Sequence, residues 1–264
     1  MIEETKKEGK IAVFLKPCDS YSCVQLLKEH RIKRENLYIV GISCDGMADM
    51  DTIRKAKIKG VTAAEDVDGT LKLETIYGTK EMPKADALEE RCKVCKSKKV
   101  VIFDEMLGEN GEENRDCGRF DEVEKLEAMT SEERYNFWRE QLSKCIRCNA
   151  CRNVCPACSC EKCVFDNPNS GISQKAAATS FEENNFHIIR AFHVAGRCTD
   201  CGECSRVCPQ HIPLHLLNRK FIKDMNEFYG FYQAGADMDS KPPVTDFTQK
   251  DPEPSVVYGK GGNS

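Results

Sequence analysis

The sequence predicts an α+β protein in three parts: a small open α/β domain, a mainly helical domain and an extended C-terminal tail. Apolar runs alternate with helical patterns over residues 1–110, and helical spacing dominates residues 120–230. Residues 231–264 are rich in Pro, Gly, Asp and Lys without any period. Residues 107–119 have the Gly, Asn, Glu and Asp composition of a surface connection, so we expect the domain boundary there.

The first domain is expected to contain two neighbouring parallel strands. The apolar run Ile11–Leu15 predicts the first strand, Asp19 or Ser20 can cap the helix that follows, and Leu37–Ser43 predicts the second strand. Strands joined by a helix pair in parallel, because the helix carries the chain back to the same end of the sheet. Three further elements are predicted in this layer: a helix over residues 51–59, an exposed strand over 71–77 and a short apolar strand over 100–103.

The second domain is expected to contain three helices, and the first two lead into cysteine-rich loops. A capping box at residues 130–133 opens a helix that reaches Cys145. A second capping box, at Ser180, opens a helix that leads to Cys198. Apolar residues at helical spacing over 214–228 predict the third helix. Cysteines therefore follow helix ends, where loops can wrap around a bound group.

The charge and hydropathy of the chain exclude several classes of protein. Its 39 basic and 43 acidic side chains leave a formal charge of −4, whereas nucleic-acid-binding proteins carry a basic excess. No apolar run approaches the length of about 18 residues that spans a membrane. Residues 1–10 are charged and lack the apolar segment of a secretory signal, so we expect a cytoplasmic protein. In that reducing compartment, 17 cysteines predict metal ligation rather than disulfides.

Two cysteine strings of identical spacing predict a pair of iron-sulfur clusters. Residues 145–156 and 198–209 both read C-x2-C-x2-C-x3-C-P, in which a tight loop gives three thiolates to one 4Fe-4S cluster and the fourth cysteine ligates the other cluster. Two sets of ligands follow: Cys145, Cys148, Cys151 and Cys208 for the first cluster, and Cys198, Cys201, Cys204 and Cys155 for the second. A pair of zinc sites is the alternative, but it leaves the third and fourth positions of each string unexplained.

Four other cysteines predict a third site in the first domain. Cys18 and Cys44 follow the two predicted strands, so they should lie at the carboxyl edge of a parallel sheet, where open α/β sheets bind ligands. Cys92 and Cys95 form a C-x2-C pair that could complete a four-thiolate site. This arrangement predicts a third 4Fe-4S cluster. A zinc site, or buried cysteines beside an independent redox pair, are the alternatives.

A last group, Cys158, Cys160 and Cys163, extends the first string and is too dense for packing alone to explain. The three thiols predict either an additional cluster or a structural zinc site. Cys117, Cys23 or a histidine would have to supply the fourth ligand.

The remaining motifs are uninformative or absent. His187 and His193 are expected to be ordinary helix residues rather than ligands. There is no G-x-G-x-x-G after a strand, no Walker loop and no G-x-S-x-G, so the sequence carries no signature for nucleotide binding or for a serine hydrolase.

The cysteine strings and their surroundings resemble a known family. The resemblance rests on these segments: Lys16-Pro17-Cys18-Asp19-Ser20, Gly41-Ile42-Ser43-Cys44-Asp45-Gly46, the Cys92 and Cys95 pair, Cys145-Ile146-Arg147-Cys148, Cys155-Pro156-Ala157-Cys158-Ser159-Cys160 and Ala195-Gly196-Arg197-Cys198. Over residues 10–235 they are similar to the beta subunits of deazaflavin-dependent hydrogenases and formate dehydrogenases, in the version fused to a dicluster ferredoxin. The helix between the two strings resembles α-helical ferredoxins, which implies an α-helical dicluster ferredoxin-like second domain.

The resemblance implies an electron-transfer subunit of a cytoplasmic anaerobic oxidoreductase complex. Its partners would be a hydrogenase, a formate dehydrogenase, a flavoprotein or a heterodisulfide-reductase-like protein, and the family's beta domain carries a cluster of its own. Deazaflavin-linked members also bind a flavin, but they have further residues ahead of the segment matching Ile11, which makes bound FAD doubtful here. A flavin-containing catalytic beta subunit that exchanges hydride with a deazaflavin or nicotinamide is the alternative function, and a multi-zinc scaffold is the second alternative.

Overall fold

The computed structural model of the protein describes residues 2–169, 180–246 and 248–251. Along these residues the strands are β1 (Ile11–Leu15), β2 (Leu37–Ile42), β3 (Val61–Val67), β4 (Thr70–Thr75), β5 (Gly78–Pro83) and β6 (Glu105–Leu107). The helices are α1 (Pro17–Lys28), α2 (Met50–Lys55), α3 (Lys84–Ala87), α4 (Glu90–Lys93), α5 (Asp121–Glu127), α6 (Ser131–Ser143), α7 (Ala150–Asn153), α8 (Ser180–Val194), α9 (Glu203–Arg206) and α10 (Leu214–Tyr229). Within this described part, no helix has the length and apolar character needed to cross a membrane.

The first sheet contains three parallel strands in the order β1, β2 and β6. The predicted parallel pairing of the first two strands is confirmed, and Leu15 and Ile39 pack against α1 in a buried core. Helix α1 begins earlier than the cap predicted at Asp19 or Ser20. Pro17 lies in its first turn, where a residue without a backbone N–H and with a fixed φ is favoured.

The third strand of this sheet lies elsewhere than predicted. The apolar run 100–103 forms no strand, and β6 follows it instead. The backbone N–H of Val100 donates to Oδ1 of Asn110 at 2.7 Å, and the next N–H donates to Oγ of Ser20 at 3.0 Å. Since side chains satisfy these two donors, the run is not paired with a neighbouring strand. Burial accounts for only part of its apolar character, because Val100 is 1% exposed whereas Phe103 is 42% exposed.

A second, antiparallel sheet has the order β3, β4, β5. Only β4 coincides with a predicted strand, and its Leu71 and Leu73 are buried with Ile53 of α2 and Ala87 of α3. The flanking strands are mostly exposed, and neither alternates between apolar and polar residues, so no period-2 pattern predicts them. The helix predicted over 51–59 is shorter in the structure, where α2 spans Met50–Lys55.

The second domain is helical, as predicted. The capping box of α6 is confirmed: the N–H of Glu133 donates to Oγ1 of Thr130 at 3.2 Å, and the N–H of Thr130 donates to the Glu133 carboxylate at 2.9 Å. Phe186 of α8 and Leu214 of α10 share one buried core with cysteines of both strings. Helix α8 begins at Ser180, where the sequence predicts it, but the side chains of that predicted capping box lie outside the described residues.

The chain after α10 turns back over both domains. Ala234 is buried, and the hydroxyl of Tyr232 donates to the carbonyl oxygen of Gly196 at 3.0 Å in the second domain. Lys28 of α1 donates to the carbonyl oxygen of Ser240. The first part of the predicted tail therefore fastens the two domains to each other.

Candidate metal centres

The first cysteine string lines a cavity beside α8 and the end of the second string. Four thiols predicted to share one cluster lie in its wall: Cys145, Cys148, Cys151 and Cys208. The cavity has a volume of about 330 Å³. Cys208 belongs to the second string, so the structure brings a distant cysteine to this cavity as the motif predicts.

The second string lines a matching cavity of about 370 Å³. Its wall contains the other predicted set: Cys198, Cys201, Cys204 and Cys155. Cys155 comes from the first string, so the two strings exchange their fourth cysteines. Corresponding cysteines of the repeated motif therefore line the two cavities.

The two loops repeat the same backbone conformation. Arg147 and Asn149 have φ values of 54° and 62°, and the matching residues Asp200 and Gly202 have φ values of 61° and 68°. A short helix follows each loop, α7 in the first string and α9 in the second. Two left-handed residues tighten each loop so that it can follow the wall of its cavity. Asn and Gly tolerate this conformation best, and this signal was readable in the sequence beside the cysteine spacing.

Buried polar side chains contact a sulfur in each set. Nε2 of His187 lies 3.2 Å from Sγ of Cys145, and Nδ2 of Asn218 donates to Sγ of Cys204 at 3.7 Å. Burial lowers the pKa of His187 to about 3, so the imidazole is neutral and its Nε2–H can donate to the sulfur. These contacts join residues 42 and 14 positions apart. His187 is a helix residue as predicted, but its contact with Cys145 was not predicted.

The thiols around the cavities fit a bound cluster. Burial raises the pKa of Cys201 to about 11 and that of Cys204 to about 12, so free thiolates are disfavoured there. Bound iron would remove the thiol proton, because a coordinating thiol is deprotonated outright. Among the described residues, no three His, Cys, Asp or Glu side chains converge as ligands of a single ion. The thiols instead surround a cavity, which suits a cluster in which each thiolate binds its own iron.

The first domain holds the loop of the second string in place. A guanidinium nitrogen of Arg91 donates to the carbonyl oxygen of Cys201 at 3.0 Å and pairs with the Glu203 carboxylate at 2.5 Å. The hydroxyl oxygens of Ser22 and Thr199 lie 3.1 Å apart. Contacts between the domains therefore fix the backbone of the second-string loop, which carries Cys198, Cys201 and Cys204.

The third predicted set lies at the carboxyl edge of the first sheet. Cys18 and Cys44 follow the neighbouring strands β1 and β2, as the sequence predicts. Burial raises the pKa of the Cys18 thiol to about 12. A Cβ on Gly46 would lie 3.5 Å from Cβ of Cys92, which places the C-x2-C pair beside the loop that follows Cys44. The structure therefore places Cys92 beside the loop after Cys44, but in the described part of the chain these thiols do not converge on a single ion, and the third site stays a prediction.

The last group consists of Cys158, Cys160 and Cys163, of which Cys158 and Cys163 are partly buried and Cys163 packs against the core of the second domain. The thiol of Cys158 shares a hydrogen bond with the thiol of Cys155, and Cys163 contacts Arg152. Cys160 is exposed. In the described part of the chain these three thiols do not converge on one ion.

Two cysteines suggested as a fourth ligand for that group lie elsewhere. Cys23 is 1% exposed in the apolar core of the first domain, so its suggested role as a ligand is wrong. The thiol of Cys117 donates to the carbonyl oxygen of Val94 at 3.2 Å, between the two cysteines of the C-x2-C pair. Cys117 therefore belongs to the surroundings of the third set, a position that its sequence context did not reveal.

Comparisons with known proteins bear on the same residues. Residues 141–212, which contain both strings, match the family model of the 4Fe-4S dicluster domain. The chain is 25% identical over 301 residues to the F420-dependent formate dehydrogenase subunit beta of Methanocaldococcus jannaschii, covering 92% of this chain and 78% of that protein. It is 26% identical over 307 residues to the F420-dependent formate dehydrogenase 1 subunit beta of Methanococcus maripaludis, covering 92% and 77%.

A shorter similarity concerns an uncharacterized iron-sulfur protein of Methanocaldococcus jannaschii, with 32% identity over 78 residues, 28% of this chain and 15% of that protein. The resemblance predicted from the cysteine strings is confirmed. The chain contains a 4Fe-4S dicluster domain and is a homologue of F420-dependent formate dehydrogenase beta subunits.

Proposed function

We propose that this protein is the electron-transfer subunit of an oxidoreductase complex and carries single electrons through its 4Fe-4S clusters between sites in other subunits. The observation that carries the proposal is the exchange of Cys155 and Cys208 between two thiol-lined cavities. Because each string completes the site of the other, the two sites are held as neighbours in one core, which suits transfer of electrons from one to the next.

The chain itself contributes binding and positioning. When bound, a 4Fe-4S cluster supplies one-electron redox chemistry. The eight cysteines of the two strings would hold the irons, and Phe186 and Leu214 exclude water from one side of the first cavity. His187 and Asn218 would donate hydrogen bonds to cysteine sulfurs. No residue is needed as an acid, base or nucleophile.

A third cluster at Cys18, Cys44, Cys92 and Cys95 is part of the proposal. Its position supports a relay: Arg91, the neighbour of Cys92, donates a hydrogen bond to the backbone of the second string. The third set therefore lies next to the second cavity, on the side where the first domain contacts the second. Electrons could then pass along three sites in a row, from the helical domain to the edge of the first sheet.

We propose that Cys158, Cys160 and Cys163 hold an additional cluster or a zinc ion. Because the three thiols do not converge in the described structure, binding would require them to move together or a fourth ligand from another part of the protein or a partner. The thiol–thiol contact between Cys155 and Cys158 supports a position next to the second cavity. Separate measurement of iron and zinc distinguishes the two metals, because zinc has no redox chemistry.

The partners are proposed from the relatives. The relatives are named as subunits of formate dehydrogenase, so we propose that this chain works in a cytoplasmic redox complex with a formate dehydrogenase, a hydrogenase, a flavoprotein or a heterodisulfide-reductase-like protein. The electron donor would be the subunit that oxidises the substrate, and the acceptor a second redox subunit.

Anaerobic isolation of the protein together with its native partners tests this function. We expect about eight irons per chain from two clusters, or about twelve with the third, and electron paramagnetic resonance signals after reduction. In the isolated complex, the substrate of the catalytic partner should reduce the clusters and so produce the same signals. A Cys151→Ser variant should lose or convert one cluster, whereas Cys23→Ala, which removes a cysteine outside all the sites, should keep the full iron content.

Three results would contradict the proposal. A protein that contains zinc and no iron would favour the multi-zinc scaffold. Clusters that no partner and no substrate can reduce would exclude electron transfer. Flavin released from this chain by acid, together with hydride exchange with a deazaflavin or nicotinamide, would favour the catalytic beta subunit.

A further inference from the structure

A buried arginine of α8 lies between the two cysteine sets. Arg190 is 3% exposed, and among the described residues it forms no ion pair with a carboxylate. Two other buried arginines near the strings have such partners: Arg91 pairs with Glu203, and Arg219 pairs with Asp200 at 2.7 Å. Burying an unpaired charge is costly, so the positive charge of Arg190 requires an anion in its surroundings.

The surroundings of Arg190 consist of cysteines from both sets. One guanidinium nitrogen donates to the carbonyl oxygen of Cys151 at 3.0 Å, in the first set. Cys155 and Cys204 of the second set, together with Cys158, lie within electrostatic reach of the same guanidinium. The charge is therefore placed where it acts on both sites.

One atom of this side chain is left without an acceptor. Nε of Arg190 is buried and has no hydrogen-bond partner among the protein atoms. An unsatisfied buried donor is uncommon in native proteins and is destabilising. Arg190 itself does not line either cavity, but it contacts the backbone of Cys151, which does. An anionic group held by these cysteines would give the guanidinium the counter-charge that carboxylates do not supply among the described residues.

A 4Fe-4S cluster held by four thiolates is such an anion, and it becomes more negative on reduction. A fixed positive charge nearby stabilises the reduced state more than the oxidised state, because cluster potentials depend on local charge, burial and hydrogen bonds. We propose that Arg190 is the shared counter-charge of the two clusters and sets both reduction potentials at once. This inference rests on the proposed function, since it needs both clusters to be present.

Potentiometric titration followed by electron paramagnetic resonance tests this role in the full-length protein. In Arg190→Gln, the midpoint potentials of both clusters should shift to more negative values while the iron content is retained. Arg190→Lys keeps the charge, so it should leave both potentials close to those of the wild type. Arg206→Gln is the matched control: Arg206 follows Cys204 by two residues but is half-exposed and paired with Glu203, so its removal should leave the potentials unchanged.

Several outcomes separate the possibilities. If the wild type contains no clusters, the proposed function fails before this inference is reached. If both clusters are present and Arg190→Gln leaves both potentials unchanged, or shifts only one, the shared counter-charge is disproved. If Arg190→Gln loses its clusters, Arg190→Lys decides: retention of clusters at wild-type potentials supports a requirement for the charge, and their loss shows that shape rather than charge matters.

Discussion

His187 of α8 lies 3.2 Å from the sulfur of Cys145, and Asn218 of α10 makes the corresponding contact with Cys204 at 3.7 Å. In the described part of the chain, each of the two sets formed by the strings thus has a buried side-chain donor to one of its sulfurs. The two donors differ in chemistry and in distance, although the two cysteine strings have the same spacing. The structure therefore distinguishes two sites that the sequence motif makes equivalent.

Replacing these donors should change the two clusters separately. A hydrogen bond to a cysteine sulfur stabilises the reduced cluster, so His187→Leu should shift the potential of the first cluster to more negative values and leave the second unchanged. Asn218→Leu should act on the second cluster only, with a smaller shift because its contact is longer. Redox titration of the two paramagnetic signals checks both variants. Equal shifts of both clusters in either variant would contradict this assignment.

Because the strings exchange their fourth cysteines, a substitution at the fourth cysteine of one string should alter the cluster of the other string. Cys208→Ser lies in the second string but should alter the first cluster, because Cys208 lines the first cavity. Cys155→Ser should alter the second cluster for the same reason. Spectra of each variant, compared with Cys151→Ser as the marker of the first cluster, give the assignment. If Cys208→Ser resembled a Cys204→Ser variant instead, the strings would hold their clusters independently.

Asp200 should be important for stability. Its carboxylate is 3% exposed and accepts from Arg219 at 2.7 Å and from Arg119 at 3.3 Å. Asp200→Asn can keep the left-handed backbone of this position but leaves two buried cations without an anion, which costs about 3–5 kcal/mol. We expect the midpoint of anaerobic thermal unfolding to fall by roughly 10 °C.

The control for this variant is an exposed ion pair. Asp51 and Arg54 are more than half exposed, so Asp51→Asn should cost less than about 1 kcal/mol. Comparable losses of thermal stability in Asp51→Asn and Asp200→Asn would show that the buried ion pairs contribute no more to stability than the exposed pair.

Gly202 is expected to be irreplaceable. A Cβ at this position would lie 2.7 Å from Cβ of Arg91, and φ is +68°. Gly202→Ala should therefore push the loop of the second string away from the first domain and lower the iron content of the second site. Gly69→Ala separates the two causes, because Gly69 has φ of +79° with no atom within 4 Å of an added Cβ. That variant should cost only about 1–2 kcal/mol of backbone strain and keep all iron. Full iron content in Gly202→Ala would contradict this prediction.

The sequence by itself determined the chemistry of the main site and part of the architecture. The spacing of each cysteine string limits how three thiols can be arranged on one short loop, so residues 145–156 and 198–209 already specify the ligand type. The apolar runs of β1 and β2 and the helix between them specify a parallel pair in the same way. These features are local, because neighbouring residues along the chain are sufficient to produce them.

Only the tertiary structure decided what surrounds the thiols. Arg190 reaches Cys151 across 39 residues, and Arg91 reaches Cys201 across 110 residues. The mostly exposed strands β3 and β5 become strands only because β4 offers them hydrogen-bonding partners, one on each side of it. Such contacts depend on which surfaces are buried together when the domains pack. Local periodicity and residue spacing along the chain therefore cannot predict them.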